Sequence, residues 1–179
     1  MGKSREFLLD PASNACEVSL YECSADLLND EEVVLHCVSL DGRNLEWAAH
    51  EMKNDYEVVL AAVSCPTQYN GSSLQHASDS MKDNMDVVMT AIAGYDGQAL
   101  GHAPKRLKGD AGVVRAAMTQ SGPNRKPCAL TIQYIDFDEG QVPREEQEEY
   151  LKMYLNDERE IENIVWRHFR NGPRTTRTS

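Results

Sequence analysis

One theme in this sequence is written four times. The segments Leu27–Val34, Met52–Val59, Met81–Val88 and Leu107–Val114 align residue for residue, reading Leu27-Leu28-Asn29-Asp30-Glu31-Glu32-Val33-Val34, then Met52-Lys53-Asn54-Asp55-Tyr56-Glu57-Val58-Val59, and so on. A Leu-x-x-Ala stretch precedes each of the later copies, Leu45 to Ala48, Leu74 to Ala77 and Leu100 to Ala103, and Leu20 to Cys23 stands in its place in the first. Successive copies are offset by 25, 29 and 26 residues, the longer step reflecting an insertion around Pro66-Thr67-Gln68-Tyr69. Self-similarity at this period marks a repeat architecture, and it constrains the fold more than any composition does. A unit of about 25 residues cannot bury its apolar face alone, so neighbouring copies must cover one another.

Each copy reads as two short helices. The first carries Leu45, Ala48 and Met52, or Leu74, Ala77 and Met81, on one helical stripe. The second carries Val58, Val59, Ala62 and Val63, or Val87, Val88, Ala91 and Ile92, on a wider face. Asp41-Gly42, Asn70-Gly71, Asp96-Gly97 and Ser121-Gly122 close the copies with turn residues. The implied fold class is mostly α: a short solenoid-like stack of about four helical hairpins, with one extended segment and a C-terminal helix. The pattern leaves the hand of the stack open.

The recurring polar residues have local work. Asp30, Asp55, Asn84 and Asp110 stand where the second helix begins and suit N-caps, each worth about 1 kcal/mol. Glu32, Glu57 and Asp86 fall in the first turn, facing the positive helix end, and Lys53, Lys82 and Lys108 fall at the end of the first helix, facing its negative end. The fourth copy departs from its neighbours by carrying Gly101, Pro104, Gly109 and Gly112. Pro104 falls inside its first helix, where it is expected to kink or delay the helix, making this the loosest copy.

These residues resemble the tandem helical repeats of the family described as domain of unknown function 4116. Its theme is Leu-x-x-Ala, a lysine-asparagine-aspartate hinge, a Val-Val-x-x-Ala-Val helix and a glycine turn. Leu45 through Val63 and Leu74 through Ile92 match it closely, and the resemblance covers roughly residues 19–122. Where the family has an aromatic before the Ala, this chain has Trp47, His76 and His102, with Glu22 in the first copy. The resemblance implies a fold type and an interaction scaffold, and it supplies no catalytic residues.

The chain divides into an N-terminal extension (1–18), the repeats (19–122), a linker with an extended segment (123–142), a C-terminal helix (143–170) and a polar tail (171–179) expected to be disordered. Cys128 through Phe137 alternates in hydropathy and reads as a single strand or extended segment. Pro143 and the glutamates 145, 146, 148 and 149 suit the start of a helix, which either seals the stack or binds a partner.

Charge and motif content narrow the function. Eighteen Lys and Arg against twenty-nine Asp and Glu give a net charge of -11, which disfavours nucleic acid and anionic membrane surfaces without forbidding a local basic patch. Five cysteines, with no CxxC spacing, argue against a disulfide framework or structural zinc and favour a reducing, cytoplasmic compartment. No apolar run approaches the roughly 20 residues of a membrane span. Asp136-Phe137-Asp138-Glu139-Gly140 misplaces the glycine of a calcium loop, and no nucleotide-binding or nucleophile motif occurs. No cofactor is implied. The leading expectation is a non-enzymatic scaffold for a protein partner, with Trp47, Tyr56, Tyr69, His76, Met85, Tyr95 and His102 as surface candidates. The alternatives are an accessory subunit held by its strand and C-terminal helix, or an uncharacterised enzyme. Oligomeric state is left open.

Overall fold

In the computed structural model the described residues are 4–10, 18–21, 23–65, 73–94, 97–119 and 135. Four long helices recur along them: Glu31–Leu40, Tyr56–Ser64, Met85–Gly94 and Ala111–Thr119. The chain is mostly helical over these residues, and no strand occurs among them. The linker, extended segment, C-terminal helix and tail anticipated beyond residue 119 lie outside the described residues, apart from Ile135, which is buried in the same core as the helices.

The long helices begin where their caps stand. Asp30, Asp55, Asn84 and Asp110 each accept a bond at Oδ1 from the amide three residues on, at 3.1, 3.0, 3.3 and 3.0 Å. The apolar face follows from the doubled valine. Val33, Val34, Cys37 and Val38 are buried, as are Val58, Val59, Ala62 and Val63, then Val87, Val88, Ala91 and Ile92, then Val113, Val114 and Ala117. Each long helix packs against the next, Glu31–Leu40 on Tyr56–Ser64, that helix on Met85–Gly94, and that on Ala111–Thr119. Cys37 occupies the column filled by Ala62, Ala91 and Ala117 in later copies, where a thiol packs as a small hydrophobe.

The first helix of each copy is not one helix. Leu45 and Leu74 sit in tight 3-10 turns, Gly42–Glu46 and Leu74–His76, and a separate single helical turn follows, His50–Lys53 or Asp79–Lys82. Between the two lies an extended residue. Ser24, Ala49, Ser78 and Pro104 hold this place in the four copies, with φ of -67, -59, -64 and -68° and ψ of 157, 160, 162 and 162°. The two-helix reading fails here because Leu and Ala three apart share a face in a 3-10 turn as well as in an α-helix. Pro104 therefore interrupts nothing. It occupies a break that every copy has, at a φ its ring already prefers, just before the turn Lys105–Lys108.

The break also joins the copies. Ala49 N donates to Leu28 O and Ser78 N to Lys53 O, both at 2.9 Å, so each break residue bonds the end of the single turn one copy earlier. Pro104 has no N–H to continue this ladder. At that junction Arg106 reaches back instead, donating through Nη2 to Asp83 O at 3.1 Å and to Asp83 Oδ1 at 2.7 Å. At the preceding junction the hydroxyls of Ser78 and Ser80 both donate to Asn54 Oδ1.

A buried amide ties the first copy to the second. Asn44 accepts from Leu20 N at 2.9 Å and donates to Cys37 O at 3.0 Å and Val18 O at 3.4 Å, pinning the entering chain to the first long helix. Gly42 lies beside it, pressed against the second long helix near Ala62 O and Ser73 Oγ. At the N-terminus the single turn Arg5–Leu8 buries Leu8 and sets Arg5 on Asp30, at 2.9 Å, and on Glu32.

Candidate functional site

The repeat places one side chain per copy outside the core at a fixed point. In each 3-10 turn the Leu and the Ala three residues later face inward: Leu45 and Ala48, Leu74 and Ala77, Leu100 and Ala103 are all buried. Three residues complete one 3-10 turn, so the residue two after the Leu is turned away from the side that the Leu and Ala share. That residue is Trp47, His76 or His102. Trp47 is 41% exposed, His76 is half-buried and His102 is exposed. In the first copy Tyr21, 51% exposed, meets Trp47 edge to face, with ring centroids 4.8 Å apart and planes at 70°.

Lysines run beside the rings. Lys53 Nζ donates to Glu46 O and Lys108 Nζ to Gly101 O, each at 2.7 Å, so each lysine curls back seven residues onto the 3-10 turn of its own copy. Their role at the negative end of a helix, expected from the sequence, is thus carried out on the carbonyls of the 3-10 turn. Lys82 holds the same column between them.

The two imidazoles report this surrounding. Burial of the ring holds His76 below its ordinary value of 6.5; Lys53 and Lys82 push the same way, and Glu46 opposes them. Burial likewise lowers His102, with repulsion from Lys82, Lys108 and His76 added. Gln75 Nε2 lies 2.9 Å from His76 Nε2, and an amide N–H donating there suits a neutral ring with its proton on Nδ1. The order along the surface is therefore Tyr21, Trp47, Lys53, His76, Lys82, His102, Lys108. Among the described residues no three His, Cys, Asp or Glu side chains gather as metal ligands, and no helix is long and apolar enough to cross a membrane.

The seven residues singled out in the sequence separate into groups. Trp47, His76 and His102 form the row. Tyr56 and Met85, both exposed, are the first residues of the second and third long helices, a different element of each copy. Tyr69 and Tyr95 lie outside the described residues. Sequence reasoning missed Tyr21, which stands one place from the ring column. It also assigned the lysines to helix ends alone, although their recurrence in step with the rings was visible.

Comparison with curated proteins returned no match, and neither did comparison with solved structures. A family model matches twice in succession, over residues 30–69 and 67–108, and its description is a domain of unknown function, DUF4116. The boundary between the two matches falls in the segment that separates the second copy from the third, so the tandem similarity to DUF4116 covers residues 30–108 of this chain.

Proposed function

We propose that the chain is a non-enzymatic helical-repeat scaffold, built as a short solenoid, that binds a protein partner through the ring row of its 3-10 turns. The observation that carries this reading is the exposure of Trp47 and Tyr21, stacked edge to face on a surface where the adjoining Leu45 and Ala48 are fully engaged in the core. Their exposure is not required by the fold, because the core is complete without them. Large aromatic side chains in such positions are the type that dominates binding energy at protein interfaces. A repeat stack tolerates variation there, since the buried columns and the bonds between the breaks hold the copies together without the ring row.

The test is quantitative recovery of partners from the native cell by the intact chain and by Trp47→Ala and His76→Ala, each shown by thermal unfolding to be folded. The scaffold reading expects the specific partner to be lost with Trp47→Ala. Capture that survives both substitutions, yet disappears on removal of residues 128–169 with folding intact, contradicts it and favours an accessory subunit held by its distal third.

A further inference from the structure

We infer that the row docks an extended acidic peptide segment of a partner protein, with carboxylates recurring at every third residue. This rests on the scaffold reading above and supplies its partner chemistry. The chain as a whole carries a net charge of -11, yet a lysine recurs beside this row in each of three successive copies. Lys53 and Lys82 bear on His76, together with the carboxylate of Glu46, and Lys82 and Lys108 bear on His102. The ion pairs of Arg5 with Asp30 and Glu32, of Arg43 with Asp41 and of Arg106 with Asp83 do not involve Lys53 or Lys82. The Lys82 ammonium makes no hydrogen bond or ion pair among the described residues. An ammonium has three donors, so the single bond from Lys53 to Glu46 O fixes its position without cancelling its charge. Trp47 and Tyr21 supply the apolar anchor at one end of the track.

The spacing selects an extended ligand. Adjacent long helices are in contact, and packed helices lie about 8–10 Å apart, so cations of successive copies recur at about that interval. An extended chain advances about 3.3 Å per residue, which brings every third side chain opposite the next copy. A long polyanion such as nucleic acid must also approach the acidic remainder of the molecule, which repels it. A short peptide feels mainly the row, because charges beyond about 8 Å are screened at physiological salt. The two imidazoles, faced by Glu46, Lys53, Lys82 and Lys108, add positive charge when they protonate, while peptide glutamates remain ionised at pH 5.5.

The experiment is fluorescence anisotropy with the full chain and two labelled peptides of about ten residues and identical composition, one with glutamate at every third position and one with its glutamates clustered. The spaced peptide is expected to bind more tightly, to weaken with added salt and to tighten between pH 7.5 and 5.5. Lys82→Glu is expected to weaken it about tenfold, and Lys82→Ala less but in the same direction. Lys82→Ala decides the matter should the reversal fail to fold. Equal binding of the two peptides, a change below twofold in both Lys82 variants, or tighter binding of a short oligothymidylate than of the spaced peptide overturns the inference. Loss of the cellular partner with Trp47→Ala, together with no binding of the spaced peptide, removes the acidic track and leaves the scaffold reading standing. Lys82-dependent peptide binding, with partner capture unaffected by Trp47→Ala, does the reverse.

Discussion

Gly42→Ala isolates the close approach between copies. Gly42 opens the 3-10 turn after the first long helix and is fully packed. A methyl group there would lie within 2.5 Å of Ser73 Oγ and closer still to Ala62 O. The serine hydroxyl can rotate away, but the carbonyl belongs to the second long helix and moves only with its backbone. Overpacking of this kind costs about 1–3 kcal/mol. A glycine replaced without strain gains about 0.4–1 kcal/mol through the unfolded chain, so the expected net loss is about 1–2 kcal/mol. For a chain of this size that lowers the melting temperature by roughly 2–8 °C. Gly112→Ala is the contrast. Gly112 is exposed in the first turn of the fourth long helix, and its methyl would meet only Asp110 Oδ1, at 3.1 Å. That substitution should leave stability unchanged or raise it by up to about 1 kcal/mol. Urea unfolding of both variants, read by far-ultraviolet circular dichroism, measures the difference. Equal midpoints for Gly42→Ala and the unaltered chain would refute the packing argument.

Further predictions come from the buried and capping groups. Asn44→Ala leaves Leu20 N and Cys37 O without their partner inside the core, so a loss of about 2–3 kcal/mol is expected in urea titration; a loss below 0.5 would show that Asn44 pins nothing. Asp55→Ala should cost about 1 kcal/mol, and Asp55→Ser should recover most of it, as a cap requires. Pro104→Ser restores an N–H to the inter-copy ladder, so Arg106→Ala should destabilise the serine variant less than the unaltered chain; additive effects in the double-mutant cycle would contradict the substitution of one bond for the other. The depressed imidazoles mean that the unfolded chain takes up protons first. Their contribution is complete above pH 6.5 and declines as pH falls through it, while that of Asp30 and Asp41, held below 3.8, disappears only in stronger acid. Melting temperature should fall between pH 7.5 and 5.5, and less steeply in a His76→Gln, His102→Gln chain; a rise over that interval contradicts the assignment.

What could be read from the sequence was whatever repeats with a physical reason attached. The doubled valines announced the buried face because four residues at that spacing share one side of a helix, and in the first three copies all four are buried. The aspartates announced helix starts because a cap needs a short acceptor at one place only. The tandem resemblance rested on whole copies and is matched by the family model over residues 30–108. The broken first helix was not legible, since a Leu and an Ala three apart suit both helix types, and of the residues at the break only Pro104 was weighed, by itself. As a column, Ser24, Ala49, Ser78 and Pro104 hold two good caps and a residue that cannot sit inside a helix, which is the signal for an interruption. Asn44 was invisible for a different reason. Its partners, Leu20 N and Cys37 O, lie 24 and 7 residues away, and neither is a side chain with a pattern. The ring row was half legible: Trp47, His76 and His102 stood out as a column, but Tyr21 is brought against Trp47 only where the first copy meets the second.

The central claim is that each copy shelters the valine face of the next. Hydrogen exchange on Val88→Ala measures this most directly, because Val88 is fully buried on the third long helix, between the second and the fourth. Shortening one side chain there should reduce amide protection in Tyr56–Ser64 and Ala111–Thr119 together with Met85–Gly94. Loss of protection confined to Met85–Gly94, with both neighbours exchanging as before, would mean that the copies stand independently and would contradict the account.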